Sequence, residues 1–351
     1  MGAMAVKIYN GYAIAVLVAI VFLGSFMENS ATTTGTNTTD TNTTDMSTAI
    51  LINVDQSGNG DFKKIQDAID AVPSKNSELY FISIKPGTYR EKLQVPADKP
   101  FITLSGTLAS KNTIVTWGDT GEIIQSATLS VFASDFVARY LTVQNTFGTS
   151  GRAVALRVEG DRAAFYSCNI LSYQDTLLDD TGRHYYSNCY IEGATDFICG
   201  NAASLFEKCH LHSLSTVGGA ITAQHRNSSS EDTGYTFLNC KITGVGTALL
   251  GRPWGPYSRV VFALTYMSSV VVPQGWDDWG DTSKQSTVYY GEYRCYGLGA
   301  NRTNRVGWSK SLSNQEATPF LTKDIIGGQG WLRPSPTHFK RGSTIVTVNV
   351  P

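Results

Sequence analysis

Asp175 lies seven residues after Cys168, and Asp196 lies seven after Cys189. If those cysteines mark equivalent points of a stacked repeat, the two carboxyls share one lateral position on neighbouring strands, about 5 Å apart. Like charges that close resist simultaneous ionisation. One group is then driven toward a proton donor and the other toward an ionised base or nucleophile. Most aspartates are solvated turn residues, but these have different neighbours: Gln174-Asp-Thr-Leu177 sets an amide beside one carboxyl, and Asp196-Phe-Ile-Cys-Gly200 sets aromatic and apolar bulk beside the other. The same offset from Cys209 and Cys240 reaches only Thr216 and Thr247, so the carboxyl pair is confined to two units.

The elements that would hold this pair in register come from a repeat. Phe165-Tyr-Ser-Cys168-Asn-Ile170 recurs as Tyr186-Ser-Asn-Cys189-Tyr-Ile191, Phe206-Glu-Lys-Cys209-His-Leu211 and Phe237-Leu-Asn-Cys240-Lys-Ile242. The cysteines are 21, 20 and 31 residues apart, a period that suits a solenoid of parallel strands with one long loop near His225 to Asp232. A β-sandwich would need the four in-phase copies to arise by chance. Upstream, Phe62, Ile65, Ala68, Ile69 and Val72 follow helical spacing and predict a short helix that closes the open end of the coil. Val260-Val-Phe and Ser269-Ser-Val-Val-Val-Pro read as further rungs. Stacking also predicts two disulfides, Cys168 with Cys189 and Cys209 with Cys240, leaving Cys199 and Cys295 outside the pattern. No cysteine or histidine spacing forms a metal-binding set.

The chain has 351 residues, a net charge of -1, 42% hydrophobic and 16% charged residues, and 33 glycines. It lacks the basic excess of a nucleic-acid binder. An apolar run from Tyr12 to Gly24 behind Lys7 predicts a signal peptide over residues 1–27, or a retained signal anchor. Residues 28–48, rich in Thr, Asn and Ser, read as a flexible linker carrying the glycosylation sequons Asn37 and Asn42, with Asn227 and Asn301 further on. Residues 49–351 are left as one catalytic domain.

Gly87-Thr-Tyr-Arg-Glu91, Ala153-Val-Ala-Leu-Arg-Val158, Gln174-Asp-Thr-Leu177, Asp196-Phe-Ile-Cys-Gly200 and Leu250-Gly-Arg-Pro-Trp254 together resemble, in order, the signature segments of plant pectin methylesterases in the short form without an inhibitory pro-region. The resemblance implies an all-β fold, a right-handed parallel β-helix, and hydrolysis of galacturonate methyl esters in cell-wall pectin. It implies Asp196 as nucleophile, Asp175 as acid/base, Arg252 as the arginine holding the nucleophile, and Gln174 as an oxyanion donor. Thr128, Arg152, Tyr173, Phe197, Trp254 and Trp276 match substrate-binding positions. Methyl-esterified homogalacturonan is the implied partner, proteinaceous inhibitors a further one, and the implied protein is a secreted monomer of the cell wall needing no cofactor.

Two positions depart from the family pattern. Arg152 stands where the family has a second oxyanion glutamine, and loss of one such donor typically lowers rate about 100- to 1,000-fold. Cys199 replaces an aromatic. A polygalacturonase-like glycoside hydrolase, a pectate lyase and a catalytically impaired pectin-binding wall protein are the competing readings. Asp55-Gln-Ser-Gly-Asn-Gly60 lacks the closing glutamate of a calcium loop and reads as a turn, and there is no Gly-x-Ser-x-Gly elbow for a serine esterase.

Overall fold

The computed structural model describes residues 47–106, 112–341 and 344–346; the expected leader, nearly all of the linker and the sequons Asn37 and Asn42 lie outside them. The described chain winds as a parallel β-helix, each coil giving one strand to each of three sheets. In one coil these strands are Arg183–Ser187, Tyr190–Gly193 and Ile198–Gly200; the next coil repeats them as Ala203–Glu207, His210–Ser213 and Gly219–Gln224. The register runs Tyr186 onto Phe206, Ile191 onto Leu211 and Ile198 onto Thr222.

The sequence repeat is the cross-section of this coil. Its aromatic positions stack as an interior ladder: Phe165, Tyr186, Phe206, Phe237 and Phe262 follow one another with ring centroids 4.9, 4.5, 4.6 and 4.5 Å apart. Such pairs add about 0.5–1.5 kcal/mol each beyond area burial. The residue before each cysteine turns the corner between two sheets in the left-handed conformation, Ser167, Asn188, Lys208 and Asn239 all having φ between 51° and 56°. The aliphatic residue after the cysteine, Ile170, Ile191, Leu211 or Ile242, is fully buried on the next strand.

The expected disulfides are not formed. All six cysteines are free, and those of the repeat are buried one per rung. Each thiol donates to the carbonyl of the aromatic residue one coil back: Cys189 to Phe165 at 3.5 Å, Cys209 to Tyr186 at 3.4 Å and Cys240 to Phe206 at 3.2 Å. An evenly spaced ladder singles out no pair. Cys295 belongs to this ladder, reaching the Phe262 carbonyl at 3.3 Å, while Thr265 fills the intervening rung with a hydroxyl on the Phe237 carbonyl at 3.3 Å.

The expected capping helix is present at Ile65–Asp70, with Ile65, Ala68, Ile69 and Val72 buried against the first coils. Its open backbone amides are met by Glu91, whose two carboxylate oxygens accept from Ile65 and Gln66, each at 3.0 Å. Asp55 to Gly60 forms a turn, Asp55 accepting from the Ser57 amide at 2.8 Å. The long loop lies between Gln224 and Gly234. Ser269 to Pro273 is not a rung; it makes a turn with one bridge, from Val271 to Ala248.

Candidate active site

Asp175 and Asp196 occupy the same corner of adjacent coils. The bridge between Gln174 and Thr195 fixes the register, and the Asp175 amide donates to the Thr195 carbonyl at 3.2 Å. Both aspartates are left-handed, with φ of 58° and 48°, a conformation that aspartate tolerates better than bulkier residues. On the following coil the corner is longer, so Asp196 donates to the Ala220 carbonyl at 2.7 Å and not to the Thr216 position that simple counting reaches. The carboxyl pair ends there.

Both carboxyls open into one cleft, lined also by Ile123, Arg152, Gln174, Cys199, Ala223, Arg252, Trp254 and Trp279. Arg252 comes from the next coil but one. Its Nε and Nη2 donate to the two oxygens of Asp196 at 2.8 and 2.6 Å, and its guanidinium carbon lies 3.9 Å from the Trp279 ring centroid. Burial works against that guanidinium's charge, but Asp196 outweighs it and holds the arginine above its ordinary value. Gly251, just before Arg252, has to be glycine: a Cβ there would sit 2.1 Å from the Thr222 hydroxyl oxygen.

Asp175 has no such fork. Burial, reinforced by the Asp196 charge and only partly offset by Arg152 and Arg252, pushes its carboxyl up to about 7. Arg152 Nε lies 3.6 Å from Asp175, too long for a hydrogen bond. Cys199 lines the same cleft; burial, with Asp175 and Asp196 adding to it, pushes its thiol well above the ordinary range, leaving it a neutral wall.

Of the expected binding residues, Arg152 and Trp254 line the cleft, and Trp254 stacks on His225 at 4.2 Å between centroids. Four others do not. Trp276 is 1% exposed, stacked on Tyr290 at 4.3 Å, with its ring nitrogen 3.3 Å from Glu292. Phe197 is wholly interior. Thr128 is buried too, donating to the Gln144 carbonyl at 3.0 Å. Tyr173 lines a separate shallow groove with Leu171 and Glu192. The exposed indole is Trp279, three residues beyond Trp276, turned outward by its own left-handed backbone with φ 59°. Sequence reasoning passed over it and His225; the Trp-x-x-Trp spacing before Gly280 was the available signal for the first.

The pectinesterase family model matches residues 51–329. An Arabidopsis thaliana relative bearing the name "Putative pectinesterase 11" is 66% identical over 295 residues, covering 84% of this chain and 84% of its own. The pectin methylesterase from carrot superposes with a TM-score of 0.77 at 36% identity, covering 81% of this chain and 94% of its own. A pectin methylesterase solved in complex with hexasaccharide VII aligns with a TM-score of 0.68 at 25% identity, covering 82% and 98%.

Proposed function

Because this chain belongs to the pectinesterase family and hydrolyses the methyl esters of pectin, we propose that Asp196 and Asp175 divide the reaction between them. An Asp196 oxygen attacks the ester carbonyl of a methylated galacturonate. Asp175, protonated, gives its proton to the methoxy oxygen, and methanol leaves a mixed anhydride on Asp196. Asp175, now a carboxylate, takes a proton from water as that water attacks the sugar carbonyl of the anhydride. Galacturonate departs and both side chains return to their starting states. Gln174 donates to the oxyanion in each half, and the Arg252 fork keeps Asp196 aimed and unable to turn away.

The observation that carries this division is the unequal surroundings of two carboxyls on one corner. One is gripped at both oxygens by Arg252, and the other is buried with its proton retained to about 7. A general acid is most effective when its pKa lies near the working pH. Trp254 and Trp279 offer apolar faces suited to sugar rings. The exposed sequons Asn227 and Asn301, with the apolar leader, support work in the cell wall after secretion.

Methanol release and viscosity, followed together on highly methylated pectin, test the reading. The esterase gives methanol without backbone cutting, and Asp196→Asn abolishes it. A viscosity drop without methanol would favour the glycoside hydrolase reading, and binding with neither would favour the inert wall protein.

A further inference from the structure

The interior aromatic ladder stops at Phe262. In the register of the next coil Phe262 is followed by Glu292, a carboxylate only 3% exposed. Two guanidiniums meet it. Arg305, itself buried, donates from Nε to one oxygen at 2.9 Å and from Nη2 to the other at 3.0 Å. Arg302 and the Trp276 ring nitrogen donate to the first oxygen as well. A buried ion pair of this kind seldom stabilises a fold more than apolar side chains of equal volume would. Its use has to lie in something that packing alone cannot do.

Beyond Glu292, the donors of Arg305 reach three backbone carbonyls: Val272 at 3.1 Å and Pro273 at 2.9 Å through Nη1, and Gly299 at 2.6 Å through Nη2. A Cβ on Gly275 would sit 2.5 Å from Arg305 Cδ, so the turn over residues 272–280 is moulded around this side chain. That turn grips the strand Ala248–Gly251, which ends just before Arg252. The Leu250 amide donates to the Gly275 carbonyl at 2.7 Å, and the Asp277 amide to the Gly251 carbonyl at 3.2 Å. The turn then sets Trp279 over the Arg252 guanidinium, 3.9 Å from the ring centroid. Without its counter-charge Arg305 would be an uncompensated buried cation and would let go of these carbonyls to reach water. We propose that Glu292 is a positioning residue for the ester hydrolysis. It fixes Arg305, Arg305 fixes the turn, and the turn holds Arg252 on Asp196. This rests on the reading that Asp196, so held, attacks the ester.

The test follows methanol release from highly methylated pectin, well below the Tm of every variant, beside a thermal melt of each. Glu292→Gln keeps the shape and one acceptor oxygen; it should lower kcat roughly tenfold, more than it raises KM, as a small misplacement of Asp196 does. It also strips two guanidiniums of their counter-charge and lowers Tm. The deciding variant therefore pairs Glu292→Met with Arg305→Met. Removing both charges should return Tm toward that of the unmodified protein and leave kcat low. Arg305→Lys keeps a cation beside Glu292 but cannot span both its oxygens and the carbonyls of the turn. It should lower kcat too. Added to Trp279→Ala, Glu292→Gln should cost far less in kcat than it does alone, because both act through one turn. A methionine pair that melts normally and turns over at the full rate overturns the proposal, as does full kcat in Arg305→Lys. So do losses that simply multiply when Glu292→Gln and Trp279→Ala are combined, which would make Glu292 a structural residue independent of the site. Full activity in Asp196→Asn would instead remove the reading beneath the proposal, whatever Glu292 does.

Discussion

The guanidinium of Arg252 grips both oxygens of Asp196, at 2.8 and 2.6 Å, across two coils of the β-helix. Two parallel charge-assisted bonds fix the plane of the carboxylate as well as its position. Arg252→Ala should lower kcat on the order of 100-fold, the scale of a small misplacement of a reacting group. Arg252→Lys should recover little, because an ammonium cannot span both oxygens. Steady-state kinetics on highly methylated pectin check both; a lysine variant close to full activity would show that charge alone suffices.

Asp175, held up to about 7, has to be protonated to release methanol. The alkaline limb of kcat/KM should therefore fall with an apparent pKa near about 7 in the unmodified protein. The groups facing this carboxyl are Asp196, which raises it further, and Arg152 and Arg252, which oppose burial. Removing the Arg152 charge leaves burial less opposed, so Arg152→Gln should move the limb to higher pH. A limb that stayed put, or moved down, would show that Arg152 has no electrostatic hold on Asp175.

The same carboxyl bears on stability. Its folded value of about 7 exceeds the ordinary 3.8, so the native state binds the proton more tightly. The stabilisation is complete below about pH 4 and is lost as pH rises through about 7. Asp175→Asn has no proton to lose. It should melt higher than the unmodified protein above about pH 8, by a few kcal/mol of stability at most, with the difference closing in acid. Thermal melts across that range decide it.

Much of this was legible because a β-helix writes its cross-section into sequence. The aromatic, the cysteine and the aliphatic residue of each repeat are three interior ladders, and equal offsets from Cys168 and Cys189 did bring Asp175 and Asp196 to one corner. What was hidden depends on direction more than on spacing. Trp276 and Trp279 sit on one turn, and only the fold decides which indole turns inward. Phe197 adjoins Asp196 in sequence and yet is wholly buried, and Thr128 is buried with its hydroxyl on the Gln144 carbonyl. Thiols in register looked like disulfide partners because counting gives their separation and not where each S–H points.

Those thiols give a direct chemical prediction. With six free cysteines, the denatured protein should react with six equivalents of a thiol reagent without prior reduction. Dithiothreitol should leave its Tm unchanged, since breaking a real disulfide would cost about 2–5 kcal/mol. The folded protein should react slowly, because the ladder thiols are buried and burial pushes Cys168, Cys189 and Cys209 well above the ordinary thiol range. Two equivalents before reduction and six after would restore the disulfides.

The two indoles on the turn after Pro273 can be told apart by what their loss disturbs. Trp276 fills the interior between Phe262 and Tyr290 and hydrogen-bonds Glu292, so Trp276→Ala should cost about 3–5 kcal/mol as a cavity and lower Tm sharply. Trp279 is 40% exposed and lies over Arg252 at the cleft wall. Trp279→Ala should hold Tm within a few degrees and act on the reaction, raising KM for pectin through the lost sugar-facing surface and lowering kcat through a looser Arg252. Melts and kinetics on both variants check the assignment: if Trp276→Ala changed KM with an intact fold while Trp279→Ala changed nothing, the inward and outward indoles would have to be exchanged.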